Sequence, residues 1–331
     1  MNIKKILRNF IDYISHHKII KILLNTFDVN TVFLNYHSVI KDCDLNSSKR
    51  PNDDLVVTVS VFEQQIKFLT KYFDVISINE IEKSRGNHNV IITFDDGYMD
   101  NYENALPILK KYNCPAIIYV ATNFINNKEI PWWIKIWKLI SNKEKLVIDN
   151  KLYEIKNNRC KSELYNELSQ KYISLKTDEI NDLINEIVKA NDYKIDKDEI
   201  FLTTEKLVSL SKNKLIDIGC HTHKHPNLRI LNKNEIDYEI YNSIKILEEN
   251  IKKKIIHFSI PFGTKKTFSN QTIKEIKKYN FKTIVTTEHG IFNKNILSRI
   301  PRIGIGNKDL ENRLYSKAIG LDSLLNKILL K

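Results

Sequence analysis

Two short segments concentrate the side chains that could do chemistry. The first, Val90-Ile-Ile-Thr-Phe-Asp-Asp-Gly97, is an apolar run that ends abruptly in two carboxylates and a glycine. Successive side chains of an extended chain point in different directions, so Asp95 and Asp96 can hold different jobs. Two adjacent acids at the end of a buried strand are costly unless something compensates them, and a bound cation would do so. By itself the segment reads equally well as a solvated turn, because Asp-Asp-Gly is good turn chemistry.

The second segment breaks that tie. The apolar run Leu215 to Ile218 leads into Gly219-Cys220-His221-Thr222-His223-Lys224-His225-Pro226. Neutral imidazoles suit zinc and related divalent ions, and two histidines with one carboxylate leave positions open for water and substrate. The plainer alternative is histidines satisfied one by one in the core or at the surface. Spacing does not choose which two would bind: strand alternation would align His221, His223 and His225, whereas a turn would separate them.

Both segments need elements to position them. Short apolar runs alternate with amphipathic stretches, the pattern of strands and helices around a parallel sheet or barrel. Strands are expected at Thr31 to Tyr36, Asp74 to Ser77, Asn89 to Phe94, Ala116 to Val120, Leu215 to Cys220, Ile255 to Ile260 and Thr283 to Thr286. Helical periods cover Val61 to Tyr72, Glu103 to Tyr112 and Glu235 to Ile251. The alternation breaks once, over residues 124–203, which read as a helical insertion with an amphipathic helix at Asp178 to Lys189. Trp132, Trp133 and Trp137 cluster at its entry, either as core or as flat faces lining a sugar cleft. The expected division is an N-terminal amphipathic segment (1–30), a barrel in two parts (31–123 and 204–310) around the insertion, and a C-terminal helix (311–331).

Composition narrows the class. The 331 residues are 42% hydrophobic and 28% charged, ordinary for a folded domain and incompatible with global disorder. The net charge of +12 suits an anionic partner. Yet the lysines are dispersed and no basic stripe with interleaved aromatics stands out, so nucleic acid is not an expected partner. Cys43, Cys114, Cys160 and Cys220 show no paired spacing, which argues against a disulfide framework or a thiolate metal site. The first thirty residues are too interrupted by charge for a signal peptide, which leads to the expectation of a cytoplasmic protein. Ile3 to Leu24 reads as a helix packed on the domain or as a basic amphipathic helix on a membrane surface, so peripheral association with the inner face is the alternative.

Three segments in order, Thr93-Phe94-Asp95-Asp96-Gly97, His221-Thr222-His223-Lys224-His225-Pro226 and Phe258-Ser259-Ile260-Pro261-Phe262-Gly263, resemble the successive motifs of the polysaccharide deacetylases, carbohydrate esterase family four. The resemblance runs from about Thr31 to Gly304. Phe33-Leu-Asn-Tyr-His37 is similar to the opening strand of one branch, and Thr204-Glu-Lys-Leu to the helix before the histidine motif. The resemblance implies an α/β fold, a distorted (β/α)7 barrel carrying the helical insertion. It assigns Asp95 as catalytic base and Asp96, His221 and His225 as ligands of a divalent metal, zinc first, with cobalt, nickel or manganese as alternatives. His223 falls at a variable position, Thr222 helps hold the loop, and the Pro261-Phe262-Gly263 loop supplies an oxyanion donor, the N–H of Phe262.

Two departures from the family pattern stand out. The late Leu-x-His strand that carries the general acid in many members has no convincing copy, since His289 sits in a Glu-His-Gly turn; the branch opening with a Tyr-His strand implies His37 instead. Ser259 stands where many members place an arginine beside the base, and Arg302, in Arg299-Ile-Pro-Arg-Ile-Gly304, is the candidate replacement. The implied reaction is hydrolysis of a non-peptide carbon–nitrogen bond, freeing acetate from an N-acetylated sugar of a polysaccharide, glycolipid or related glycan, in cell-surface polysaccharide biosynthesis. The alternatives are an O-acetyl esterase and a carbohydrate-binding protein that has lost turnover.

Overall fold

A computed structural model describes residues 31–45, 55–82, 89–195, 199–288, 290 and 292–321. The reading of Ile3 to Leu24, His289 and the last part of the C-terminal helix lie outside the described residues. The chain begins with β1 (Thr31–Tyr36), β2 (Ser38–Ile40), β3 (Val56–Thr58), α1 (Val59–Tyr72), β4 (Asp74–Val75) and β5 (Asn89–Phe94). A π-helical turn (Asn101–Ala105) runs into α2 (Leu106–Lys111), then β6 (Ala116–Val120). The inserted region holds α3 (Trp132–Asn142), β7 (Lys145–Ile148), β8 (Lys151–Glu154), α4 (Asn158–Tyr172) and α5 (Thr177–Ala190). There follow α6 (Thr204–Ser211), β9 (Ile216–Cys220), α7 (Lys233–Ile251), β10 (His257–Ser259), α8 (Asn270–Lys277), β11 (Thr283–Val285), β12 (Ile303–Gly304) and α9 (Glu311–Ala318).

Among the described residues the main sheet has the order β11-β10-β9-β6-β5-β1-β12, with β4 paired to the start of β5. Its pairings are all parallel. Every residue of β1, β5 and β6 is buried, as parallel strands covered on both faces require. The sheet curls back on itself through residues 297–305. Ile300 exchanges hydrogen bonds with the β11 strand, Thr286 N to Ile300 O at 2.8 Å and Ile300 N to Ile284 O at 2.9 Å. Ile303 and Gly304 then pair with Leu34 and Asn35 of β1. This is the distorted barrel that the motifs implied, and closure removes edges that would otherwise expose unpaired backbone groups.

The expected strands at 74–77, 255–260 and 283–286 are shorter than read, because loops at both barrel ends take over the flanking residues. The insertion is not wholly helical. Lys145 to Glu154 forms an antiparallel hairpin, with Asp149 and Asn150 at φ +51° and +60°. Two consecutive residues with positive φ make the tight turn that matches strand twist, and Asp and Asn tolerate it best. Residues 124–201 build their own hydrophobic cluster, in which Trp132 and Trp133 are buried with Leu139, Leu164 and Ile184. That cluster leans on Tyr98 and Phe262 at the barrel mouth. No helix among the described residues is long and apolar enough to cross a membrane.

The other barrel end is closed by polar side chains. Ser77 Oγ and Asn79 Nδ2 donate to the two oxygens of Asp217 at 3.0 and 2.8 Å. His257 Nε2 donates to Asn79 Oδ1 at 3.1 Å, which leaves Nδ1 to accept from Thr283 Oγ1 at 2.8 Å. That arrangement uses the neutral ring, and burial lowers the His257 pKa to about 3. An unfolded histidine takes up a proton near pH 6.5 while the folded one does not until about 3. The stabilisation is therefore complete above 6.5 and is lost as pH falls through that window, at up to about 1.4 kcal/mol per pH unit. Denaturant titrations between pH 7 and 4 should show this slope, and His257→Gln should flatten it by about one proton; an unchanged slope contradicts the neutral-ring assignment.

Candidate active site

Parallel barrels present their strand C-termini on one face, and the sequence-predicted site residues gather there, with the Arg302 side chain reaching Asp95 from just before β12. Asp95 and Asp96 follow β5, His221 to His225 follow β9, Pro261 to Gly263 follow β10, His37 follows β1, and Arg302 precedes β12. Asp95, Asp96, His221, His225, Phe262, His37 and Arg302 share a cavity of about 530 Å³ with Trp132, Trp133 and Tyr165 of the insertion. Trp132 and Trp133 thus fit both sequence readings, being buried core residues that also line the cleft, whereas Trp137 packs against the core of the insertion.

Asp96, His221 and His225 come together, with one potential ligand atom from each lying within 4.8 Å of the others. Asp96 Oδ1 is 3.5 Å from His221 Nε2 and 3.4 Å from His225 Nε2. It is buried, and among the described residues it accepts no hydrogen bond. An orphaned carboxylate oxygen facing two imidazole nitrogens is costly as it stands and well suited to a divalent cation. His221 Nδ1 donates to the Ser259 carbonyl at 2.8 Å, which leaves its Nε2 lone pair for a ligand. Burial lowers the His225 pKa to about 3 and keeps that ring neutral, as metal binding needs. Its faces are packed by Phe262 at 4.6 Å and Trp133 at 4.8 Å between ring centroids. The residues present therefore fit a metal.

The loop between the histidines is strained and braced. Thr222 and His225 have φ of +64° and +56°, and a β-branched residue seldom adopts that conformation. Thr222 Oγ1 accepts from His225 N at 3.1 Å, and its carbonyl accepts from Thr122 N at 3.2 Å. His223 points elsewhere, its Nδ1 2.9 Å from Thr122 Oγ1. Glu239, unforeseen from sequence, accepts from the N–H groups of His223 and Lys224 at 2.9 and 2.7 Å with one oxygen. A signal for it exists: it is the acid on the apolar face of α7, between Ile236 and Ser243.

Asp95 belongs to a different network. Arg302 grips it with two parallel bonds, Nη1 to Oδ1 at 2.8 Å and Nη2 to Oδ2 at 2.6 Å. The remaining guanidinium donors reach Asn35, Thr93, Ser259 Oγ and the Thr286 carbonyl. An arginine thus pairs with Asp95 from another part of the chain than position 259, and Ser259 Oγ accepts from it. Burial opposes ionisation of Asp95, but the Arg302 charge, His221 and the Arg302 hydrogen bonds prevail and hold its carboxyl well below the usual range. Asn35 Nδ2 adds a bond at 3.1 Å, a role that sequence reasoning missed. His37 Nε2 stands 3.9 Å from Asp95 Oδ2.

The third motif makes a tight turn. Phe262 and Gly263 have φ of +59° and +63°, and a Cβ on Gly263 would lie 2.5 Å from Thr287 N, so only glycine fits. Thr287 N and Oγ1 donate to Gly263 O and Phe262 O at 2.9 and 2.6 Å. The Phe262 N–H has no acceptor among the described residues.

Comparisons with known proteins agree with this picture. The poly-beta-1,6-N-acetyl-D-glucosamine N-deacetylase of Staphylococcus aureus strain N315 is 36% identical over 107 residues, 29% of this chain and 37% of that protein. Other curated relatives are matched over as little as 17% of their length. Among solved structures, the Streptococcus pyogenes deacetylase PplD in complex with acetate superposes with a TM-score of 0.56 at 17% identity, over 88% of this chain and 97% of that one. IcaB from Ammonifex degensii gives 0.57 at 15% identity, over 88% and 97%. These structural likenesses concern the fold. A model of the polysaccharide deacetylase family matches residues 82–284, well over half of the sequence, and the chain belongs to that family.

Proposed function

We propose that the chain removes the N-acetyl group of a sugar in a polysaccharide, glycolipid or related glycan, releasing acetate and a free amine. The observation that carries this reading is a buried Asp96-His221-His225 cluster beside a carboxylate kept ionised by a buried arginine, in a cleft walled by tryptophans. A divalent metal held by these three residues, zinc by the donor set, would acidify a water and polarise the amide carbonyl. Asp95 is the base that takes the proton of the attacking water, held ionised and aimed by Arg302. The Phe262 N–H is the donor for the developing oxyanion, fixed in place by the Thr287 contacts. His37 donates a proton to the leaving amine, following the branch of the family whose first strand ends in Tyr-His. Burial lowers its pKa, while the charges of Asp95 and Asp96 pull the other way and favour the protonated ring.

The binding-protein alternative drew its support from the missing motif arginine, and Arg302 beside Ser259 takes that support away. An O-acetyl ester would meet the same groups, and amide turnover is the reading that requires a proton donor such as His37. Family membership makes an N-acetylated polysaccharide the expected substrate class.

Acetate release from an N-acetylated glucosamine oligosaccharide should vanish on chelation and return with zinc or cobalt. Asp95→Asn should lower kcat by about 100-fold or more while zinc stoichiometry stays the same. Equal rates with and without chelator, or an active Asp95→Asn protein, would remove the mechanism. Arg302→Met leaves a buried carboxylate unpaired and should cost roughly 3–5 kcal/mol of unfolding free energy, much of it recovered when Asp95→Asn is added. Denaturant melts of the two single variants and the double variant measure this, and strict additivity contradicts the pairing.

A further inference from the structure

The ring of His37 is poorly held by its own atoms. Its Nδ1 is buried without a hydrogen-bond partner among the described residues, and Nε2 is too far from Asp95 Oδ2, at 3.9 Å, for a hydrogen bond. The backbone around it is another matter. Asn101 Nδ2 donates to the His37 carbonyl at 2.7 Å. Asp100 Oδ1 accepts from Val39 N at 3.1 Å, and its other oxygen accepts from the Ser38 hydroxyl. Asn104 Nδ2 donates to the Val39 carbonyl at 2.6 Å. Asn101 Nδ2 also reaches Asp100 Oδ1 at 3.2 Å, which ties two of the three together.

These side chains come from one place, the π-helical turn Asn101–Ala105 and the residue before it. Pro107, with no N–H to return to the Glu103 carbonyl, follows immediately, and a wide turn is one way a chain absorbs that loss. Asp100 and Asn101 are buried, at 6% and 1% exposure. A buried carboxylate is expensive, and a core built only for stability would do better without it. Asp100, Asn101 and Asn104 also lie four to nine residues after Asp95 and Asp96. One stretch of chain therefore carries the proposed base, a proposed ligand and the grip on the segment bearing His37.

Resting on the reading of His37 as the proton donor, we infer that Asp100, Asn101 and Asn104 form a backbone clamp that sets the distance between His37 and Asp95, and so act as positioning residues for protonation of the leaving amine. The clamp works through the main-chain groups of His37 and Val39 and through the Ser38 hydroxyl, so the Val39 side chain takes no part in it.

Leaving-group dependence tests this. Expulsion of a sugar amine needs a proton, whereas expulsion of 4-nitrophenolate does not. The zinc-loaded full chain and its variants Asn104→Ala, Asn101→Ala and Asp100→Asn are assayed on an N-acetylated glucosamine oligosaccharide and on 4-nitrophenyl acetate, beside His37→Ala. Thermal melts and zinc content report folding. Asn104→Ala and Asn101→Ala should lower kcat on the amide about tenfold, a fraction of what a full general acid contributes, with KM and ester hydrolysis little changed. Asp100→Asn, which keeps one acceptor oxygen, should retain most of the amide rate. Amide and ester rates falling together in folded, zinc-replete variants would overturn the clamp, as would unchanged amide rates in variants when His37→Ala is inactive. If His37→Ala itself keeps full amide turnover, the donor assignment fails and the clamp with it, while the Asp95 and metal results stand or fall separately.

Discussion

Two carboxylates on consecutive residues, both buried at the mouth of a barrel, repel each other and have lost most of their water. Asp95 and Asp96 are 3% and 5% exposed, and each needs its own positive partner to remain ionised. Asp95 has one in Arg302, whose five N–H groups are all engaged. Asp96 faces the imidazoles of His221 and His225, with His37 adding to their field, and one of its oxygens accepts nothing among the described residues. Burial opposes a charged His221, yet Asp95 and Asp96 raise its pKa, so a proton is drawn to the place where a cation's charge belongs. The asymmetry separates the two acids into a braced carboxylate, the proposed base, and an unbraced one, the proposed ligand. It is the condition on which the proposed chemistry depends.

The fold bears the strain of that arrangement. Asp96, Thr222, His225 and Phe262 all have positive φ, at a cost of order 1–3 kcal/mol for each such non-glycine residue. Such conformations persist only where neighbours fix them. Here the Thr222 hydroxyl, Glu239 and the Thr287 contacts tie the strained loops to α7 and to the end of β11, above the curled parallel sheet.

Much of this was legible in the residues. β1, β5 and β6 fall at the expected bounds because strands buried on both faces show as mostly apolar runs rather than as alternation. The ligand cluster was legible because histidines and a paired acid are rare at strand ends and the three motifs occur in family order. What escaped were contacts made by distance along the chain. Arg302 meets Asp95 across 207 positions and was only a candidate for that role, since no local pattern encodes barrel closure. Asn35 looks like any polar residue in a strand. Of the clamp turn only residues 103–105 fell within the stretch read as helix, Glu103 to Tyr112, and Asp100 and Asn101 carried no signal that set them apart. The Asp149-Asn150 hairpin was hidden in a stretch whose lysine and glutamate content suggested helix.

The claim beneath all of this is that Asp96, His221 and His225 grip one divalent ion. Calorimetric titration of the metal-free chain with zinc at pH 7 tests it most directly. The account predicts one tightly bound ion per chain, with Asp96→Asn and His225→Ala each weakening binding by two orders of magnitude or more and His223→Ala leaving it intact. Absence of binding, or binding indifferent to the Asp96 and His225 substitutions, would contradict it.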